Sequence, residues 1–271
     1  MKHVQTGTIL DAILSRTAAD LAERKVIMPV SDLEAAACSR PAPLRLRAAL
    51  AGPEMSVIAE IKRASPSRGT FPVSVDPAAV AHDYIAGGAA AISVLTDEPF
   101  FQGSLGDLGA VATIAGAAAR PVPVLRKDFV IDPYQIVEAR AHGADAVLLI
   151  VAALEDAALA EIFAAAEVWD MDALVEVHDE CEMERAAAVG AKVVGINNRD
   201  LKSFAVDLSI TERLAPFAPG DAVIVAESGV FGASDVKRLH DAGANAVLVG
   251  EGLITASDRV AAVRALLAWA R

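Results

Sequence analysis

From about residue 56 onward, short apolar runs alternate with longer segments of helical period. The runs span residues 57–61, 91–95, 122–126, 146–150, 173–177, 193–196, 222–226 and 246–249, eight in all. Each is nearly all apolar rather than alternating, the mark of parallel strands covered on both faces. Strands that alternate with helices build βαβ units. Eight such units in roughly 215 residues predict an α/β protein, a closed (β/α)8 TIM barrel. A weak internal repeat supports closure. The segments GGAAAISVL, HGADAVLLI, VGAKVVGI and AGANAVLVG lead into the second, fourth, sixth and eighth runs. Each carries a glycine able to end a helix in the left-handed conformation.

Helix signals punctuate the pattern. Asp76-Pro77 and Asp132-Pro133 read as an N-cap followed by proline at the first helical position. Ser234-Asp235 reads as the opening of a helix that ends near Gly243. Residues 1–55 follow a different rule. Ile9, Leu10, Ile13, Leu14 and Leu21 lie near helical spacing and predict an amphipathic helix. Pro29, Pro41, Pro43 and Pro53 then interrupt the chain. So short a stretch cannot easily build its own core. Residues 1–271 are therefore expected to form one barrel domain, with 1–55 as an N-terminal helical extension packed on it.

Composition narrows the partners. Hydrophobic residues make up 54% of the chain, enough for a large core. The net charge of −12 removes any generic attraction to nucleic acid or anionic membranes and favours a small-molecule partner. Cys38 and Cys181 form no motif and read as inert. No His/Cys/Asp spacing resembles a metal site, and no GxGxxG follows a strand, which argues against a dinucleotide. No signal-peptide pattern is seen. The longest uncharged runs, such as residues 108–119, fall short of the ~20 residues of a membrane helix. A cytoplasmic protein is the expectation.

The chemistry is expected where such barrels carry it, at the C-terminal ends of the strands. Glu60 and Lys62 end the first run, Lys127 the third, Glu176 the fifth and Glu227 the seventh; Asn197 and Arg199 follow the sixth. Residues two apart in a strand face the same side. Stepping back two from Glu60, Lys127, Glu176 and Glu227 gives Ile58, Leu125, Leu174 and Val225, an apolar layer drawn from alternate strands. A layer of three carboxylates and a lysine above it must be paired or used. Gly229 and Gly232 follow the seventh run, Gly250 and Gly252 the eighth. Loops in this position often bind phosphate through backbone amides, so a phosphorylated small-molecule substrate is expected. Phe100, Phe101, Phe129 and Phe204 sit near the same loops, as pocket lining or as core packing. His178 is read as a cap on the helix after the fifth run, since no Ser or Cys partner is evident.

At these residues the chain resembles a known family. AEIKRASPS, SVLTDEPFFQGS, VLRKDFVIDPYQIVEARAHGADAVLLIVAAL, LVEVHD, INNRDL, AESGV and LVGEGL are similar to the signature segments of indole-3-glycerol-phosphate synthase. The resemblance covers essentially the whole chain. It implies a lyase of tryptophan biosynthesis that closes, decarboxylates and dehydrates 1-(2-carboxyphenylamino)-1-deoxyribulose 5-phosphate, with no cofactor and no metal. By the same resemblance Lys127 is the general acid, Glu176 the general base of dehydration, and Lys62 a group that positions the substrate carboxylate or assists. Glu60 orients the lysines, and Asn197 supports them. Ser65, Phe129, Arg199, Glu227 and Ser228 match substrate-binding positions; Gly229, Gly250 and Glu251 match the phosphate cradle. A donor lysine near a second cation is expected to have a lowered pKa. Gly252 departs from the Ser or Ala common in the family. The loop 65–71, with Pro66 and Gly69, is the expected lid. A monomer or weak homo-oligomer is expected.

Two alternatives compete. Other phosphate-binding barrels, such as phosphoribosylanthranilate isomerase or the tryptophan synthase α subunit, lack two strand-end lysines, which sets Lys62 with Lys127 against them. A non-catalytic barrel predicts an eroded charged layer, whereas Glu60, Lys62, Lys127, Glu176 and Asn197 are all present.

Overall fold

The computed structural model describes residue 4 and residues 6–269; residues 1–3, 5, 270 and 271 of the expected domain lie outside the described residues. Eight parallel strands close into a barrel: β1 Ser56–Ile61, β2 Ala91–Leu95, β3 Val124–Lys127, β4 Ala146–Ile150, β5 Asp172–Val177, β6 Val193–Asn197, β7 Val223–Glu227 and β8 Ala246–Val249. Each strand pairs with its neighbours in chain order, and β8 closes on β1 with Ser56 opposite Ala246 and Ala59 opposite Val249. Ile58, Leu125, Leu174 and Val225 are fully buried.

The third run differs from expectation by two residues, because Pro123 has no N–H for the ladder and the strand begins at Val124. The ladder then extends to Lys127, which sits opposite Leu95. The repeated glycines take the left-handed conformation, with φ of 96° at Gly88, 89° at Gly143, 86° at Gly190 and 100° at Gly243. Asp132 caps its helix through a bond from Tyr134 N (2.9 Å), though the helix proper is Tyr134–Ala141, one residue later than expected. Ala233–Asp241 opens at Gly232 rather than Ser234. Asp235 reaches back to accept from Phe231 N (2.8 Å) and Gly232 N (3.1 Å), so a side chain inside the helix does the capping.

Three helices precede the barrel: α1 Ile9–Ile27, α2 Val30–Cys38 and α3 Leu46–Leu50. Thr8 caps α1 by accepting from Leu10 N (3.2 Å). Leu10 and Leu14 join the main core, whereas Leu21, Leu33 and Ala37 pack on Tyr134, Val137 and Ala141 in a second cluster. Polar ties fasten the same face. Arg24 Nε donates to Glu138 Oε1 (2.8 Å), Arg40 Nε to the Ala141 carbonyl (2.9 Å), and Leu44 N to Asp145 Oδ1 (2.9 Å).

Glu138 belongs to a network that the sequence pattern did not announce. Arg126, 1% exposed, faces away from the barrel interior. Its guanidinium meets Asp128 Oδ2 (2.7 Å) and Glu138 Oε2 (2.9 Å) and donates to the Gln135 carbonyl (2.9 Å) and Thr96 Oγ1 (3.1 Å). Asp128 also accepts from Thr96 Oγ1 (2.5 Å) and Phe129 N (2.8 Å). Residues on both sides of Lys127 in the chain are thus locked to the barrel wall. Removing the cation would leave two buried carboxylates short of a partner. Arg126→Met is expected to lower unfolding free energy by about 3 kcal/mol or more. Urea titration of the purified variant checks this, and a loss below about 1 kcal/mol would show that the network does not hold this wall.

Candidate active site

At the C-terminal mouth of the barrel, strand ends set their charged groups into one cavity. It is lined by Glu60, Lys62, Ser65, Lys127, Phe129, Glu176, Asn197, Arg199, Glu227, Ser228, Gly229, Gly250 and Glu251, so the structure brings these expected site residues to one place, whereas Gly232 is not part of the lining. Lys127 Nζ stands 3.1 Å from Glu176 Oε2 and 3.0 Å from Glu227 Oε2. Lys62 Nζ pairs with Glu60 Oε1 at 2.7 Å. Asn197 Nδ2 donates to Glu176 Oε1 (3.2 Å), while its Oδ1 accepts from Arg199 N (3.0 Å) and Ser228 Oγ (2.9 Å). Asn197 thereby links the Glu176 carboxylate to the loops after β6 and β7. Apolar side chains add to the wall, among them Ile9, Leu10 and Ile13 from α1, Phe101 from the short helix Glu98–Phe101, and Phe204 and Phe231 from the loops. Phe101 and Phe129 lie 6.0 Å apart, whereas Phe100 is not part of the lining.

Two glycines make room for this charge. A Cβ on Gly195 would collide with Glu227 Oε1. One on Gly250 would collide with Glu60 Oε1 and come within 2.8 Å of Lys62 Nζ. Gly250 therefore serves the Glu60–Lys62 pair as well as the expected phosphate cradle.

Burial and pairing set opposite states on neighbouring carboxyls. Burial raises the pKa of Glu176, but Lys127 outweighs it, helped by His178 and the Asn197 amide, and the carboxyl is held down to about 2. Glu227 is also buried, and there burial wins over the Lys127 charge, with Glu176 and Glu60 adding repulsion; its carboxyl is pushed up to about 7. Glu227 Oε1 is buried with no hydrogen-bond partner among the described residues. Lys127 corrects an expectation. Burial alone would lower its pKa, but Glu176, Glu227 and Glu60 hold it above the ordinary lysine value. The second cation does not lower it, because Lys62 is paired to Glu60 and Lys127 is flanked by carboxylates.

Comparison with known proteins places the chain in a family. The family model described as indole-3-glycerol phosphate synthase matches residues 10–266. The chain belongs to the indole-3-glycerol phosphate synthase family. It is 52% identical over 261 residues to the indole-3-glycerol phosphate synthase of Mycobacterium avium (strain 104), covering 96% of this chain and 94% of that one. The synthase of Mycobacteroides abscessus is 51% identical over 264 residues, with 97% and 95% covered. Among solved structures, 3-hexulose-6-phosphate synthase from Salmonella typhimurium superposes with a TM-score of 0.62 at 13% identity, covering 79% of this chain and 98% of that one. Thiamine phosphate pyrophosphorylase from Pyrococcus furiosus gives 0.60 at 16%, covering 83% and 97%. These two likenesses show the barrel fold alone.

Three features qualify the synthase site. First, a Cβ on Gly252 would meet nothing nearer than Val249 Cγ1 at 4.0 Å, so no crowding requires glycine there. Second, the loop 65–71 carries a short antiparallel ladder, Ala64–Ser65 with Gly69–Thr70, and Arg68 Nε reaches Glu251 Oε1 (3.2 Å) across the mouth. Third, His178 does not cap the following helix, Glu180–Ala188. Asp179 does so by accepting from Glu182 N (2.8 Å), and the imidazole turns to Glu176 and Glu182 instead.

The close approach at Gly250 yields a test. The atoms that a Cβ would displace are the ends of flexible side chains, so Gly250→Ala is expected to fold with nearly unchanged stability. It would move Glu60 and Lys62 and lower kcat/KM by roughly 10²-fold, the cost of misplacing reacting groups by about 1 Å. Unchanged kcat/KM in steady-state assays would separate Gly250 from the positioning of that pair.

Proposed function

We propose that the chain carries out the synthase reaction of its family on 1-(2-carboxyphenylamino)-1-deoxyribulose 5-phosphate, giving indole-3-glycerol phosphate, CO₂ and water. One observation carries the reading: an ammonium, Lys127, held at bonding distance from two buried carboxylates, Glu176 and Glu227, beside a second ion pair, Glu60–Lys62. Ring closure places developing negative charge on a ketone oxygen, which a fixed cation with a proton to give stabilises. Lys127 is that donor. Its raised pKa keeps it protonated until the oxygen becomes basic enough to take the proton. Glu176, kept as a carboxylate, accepts the proton whose loss completes the dehydration. Acid and base are 3.1 Å apart, so a proton can pass between them without bulk water.

Lys62 sits on the opposite flank and meets the substrate carboxylate, with Glu60 orienting it. Asn197 holds Glu176. Ser65, Phe129, Arg199, Glu227 and Ser228 bind the substrate, and the backbone at Gly229, Gly250 and Glu251 takes the phosphate. Ser228 and Gly229 support that placement, since φ of 66° and 82° turns their peptide sharply at the mouth. On the same reading residues 1–55 belong to the single barrel domain and shape its mouth through Ile9, Leu10 and Ile13. The working form is a monomer or weak homo-oligomer of the cytoplasm, acting on a small molecule without a cofactor, a metal or nucleic acid. Among the described residues no helix is long and apolar enough to cross a membrane.

Two substitutions test the assignment. Lys127→Met is expected to lower kcat by roughly 10²-fold or more while circular dichroism shows the fold intact; near-normal turnover would remove Lys127 as the acid. Glu176→Gln is expected to cost a comparable factor, chiefly at dehydration. A single-turnover run should then show an intermediate that has lost CO₂ but not water, and its absence would count against Glu176 as that base.

A further inference from the structure

His178 lies two residues after Glu176, just past the end of β5, and is largely enclosed, with a side chain 15% exposed. Its Nδ1 is 3.0 Å from Glu182 Oε2, and that same oxygen accepts from His178 N (2.8 Å). Glu182 is fixed in turn, since its own N–H is held by the Asp179 cap. On the other side of the ring, Nε2 faces Glu176 Oε1 at 3.4 Å. That Nε2 is buried and has no hydrogen-bond partner among the described residues. The imidazole is thus clamped between two carboxylates.

The chemistry of the ring decides its state. A carboxylate offers only lone pairs, so the nitrogen facing Glu182 carries a proton. If Nε2 carried none, its lone pair would face a second carboxylate at 3.4 Å, which is repulsive. A proton on both nitrogens turns that contact into attraction. The groups around the ring are Glu176 on β5, Asp179 and Glu182 at the start of the next helix, and Glu227 on β7, with Lys127 beyond Glu176. Arg185 on the same helix is engaged with Asp156 and the Val151 and Leu154 carbonyls. Burial favours the neutral ring, but Glu182, Glu176 and Glu227 outweigh it and raise the pKa above the ordinary histidine value.

We propose that His178 is a positioning residue for the synthase reaction: its imidazolium, anchored by Glu182, holds the Glu176 carboxylate in place after Lys127 has passed its proton to the substrate. The inference rests on the reading of Lys127 as acid and Glu176 as base. Once Lys127 Nζ has given up its proton, the ammonium that balanced Glu176 is gone. The imidazolium on the far side is the remaining cation in contact with that carboxylate. Without it, Glu176 swings toward the nearest donor or draws the proton back from the reaction.

The sign of the pH dependence follows. A raised imidazole pKa means that the cation is present at neutral pH and is lost as pH rises through that value. His178→Gln keeps a donor of similar reach but cannot carry the charge. At neutral pH it is expected to lower kcat about tenfold, a barrier change of about 1.4 kcal/mol, with KM within about twofold. Over roughly pH 6 to 9.5 the parent-to-variant ratio of kcat should narrow toward one as the parent's imidazolium titrates away. Glu182→Gln removes the anchor charge and should bring that narrowing to lower pH. In a Glu176→Gln background, His178→Gln should add no further loss.

The outcomes separate cleanly. A ratio that stays the same at every pH, or a His178→Gln enzyme as active as the parent at neutral pH, overturns the role of His178. If Glu176→Gln itself keeps full activity, the reading of Glu176 as base fails, and the inference goes with it. An inactive Glu176→Gln enzyme with a flat ratio leaves that reading standing and removes only the inference.

Discussion

The mouth of this barrel depends on one largely enclosed ammonium shared between two carboxylates. Glu60, Glu176 and Glu227 are each 5% exposed or less. Three uncompensated carboxylates in such a place would be prohibitively costly. Lys127 offsets Glu176 and Glu227 together, and Lys62 offsets Glu60. The remaining imbalance falls on Glu227, whose carboxyl is pushed up to about 7 and so holds its proton for part of the time at neutral pH. The cavity therefore starts with a fixed cation and a fixed anion, the two states that the proposed proton transfers need.

The surrounding fold holds those charges where they are. Lys127 is the last residue of β3, and its neighbours Arg126 and Asp128 point the other way into a buried network with Glu138 and Thr96. Glu138 in turn is tied to Arg24 on α1, whose opposite end lines the mouth with Ile9, Leu10 and Ile13. The N-terminal helices are thus coupled mechanically to the strand that carries the ammonium. Gly195 and Gly250 do the complementary work by leaving space where side chains would crowd Glu227 and the Glu60–Lys62 pair.

The barrel and its charged layer were legible because both follow short-range rules. Near-continuous apolar runs mark parallel strands, and period-two parity sends Glu60, Lys127, Glu176 and Glu227 to the same side as Ile58, Leu125, Leu174 and Val225. Which groups pair was not legible. The lowered pKa expected for Lys127 supposed that Lys62 is its near neighbour, whereas the fold gives Lys62 to Glu60 and sets Lys127 between two carboxylates. Arg126 escaped notice because it ends an apolar run and its partners come from the following helix, Gln135 and Glu138, and from Thr96 at the end of β2. His178 was read as a helix cap because the sequence places it next to that helix. Only the turn at Asp179, which brings Glu182 back to the ring, sets the imidazole against Glu176.

The most direct test of the account is the appearance of indole fluorescence when 1-(2-carboxyphenylamino)-1-deoxyribulose 5-phosphate is added to the purified protein in EDTA. The account predicts steady growth of the indole signal, with one CO₂ released per turnover and no added metal or cofactor. A protein that is folded by circular dichroism yet gives no signal would contradict it, leaving the barrel in place and the assigned chemistry rejected.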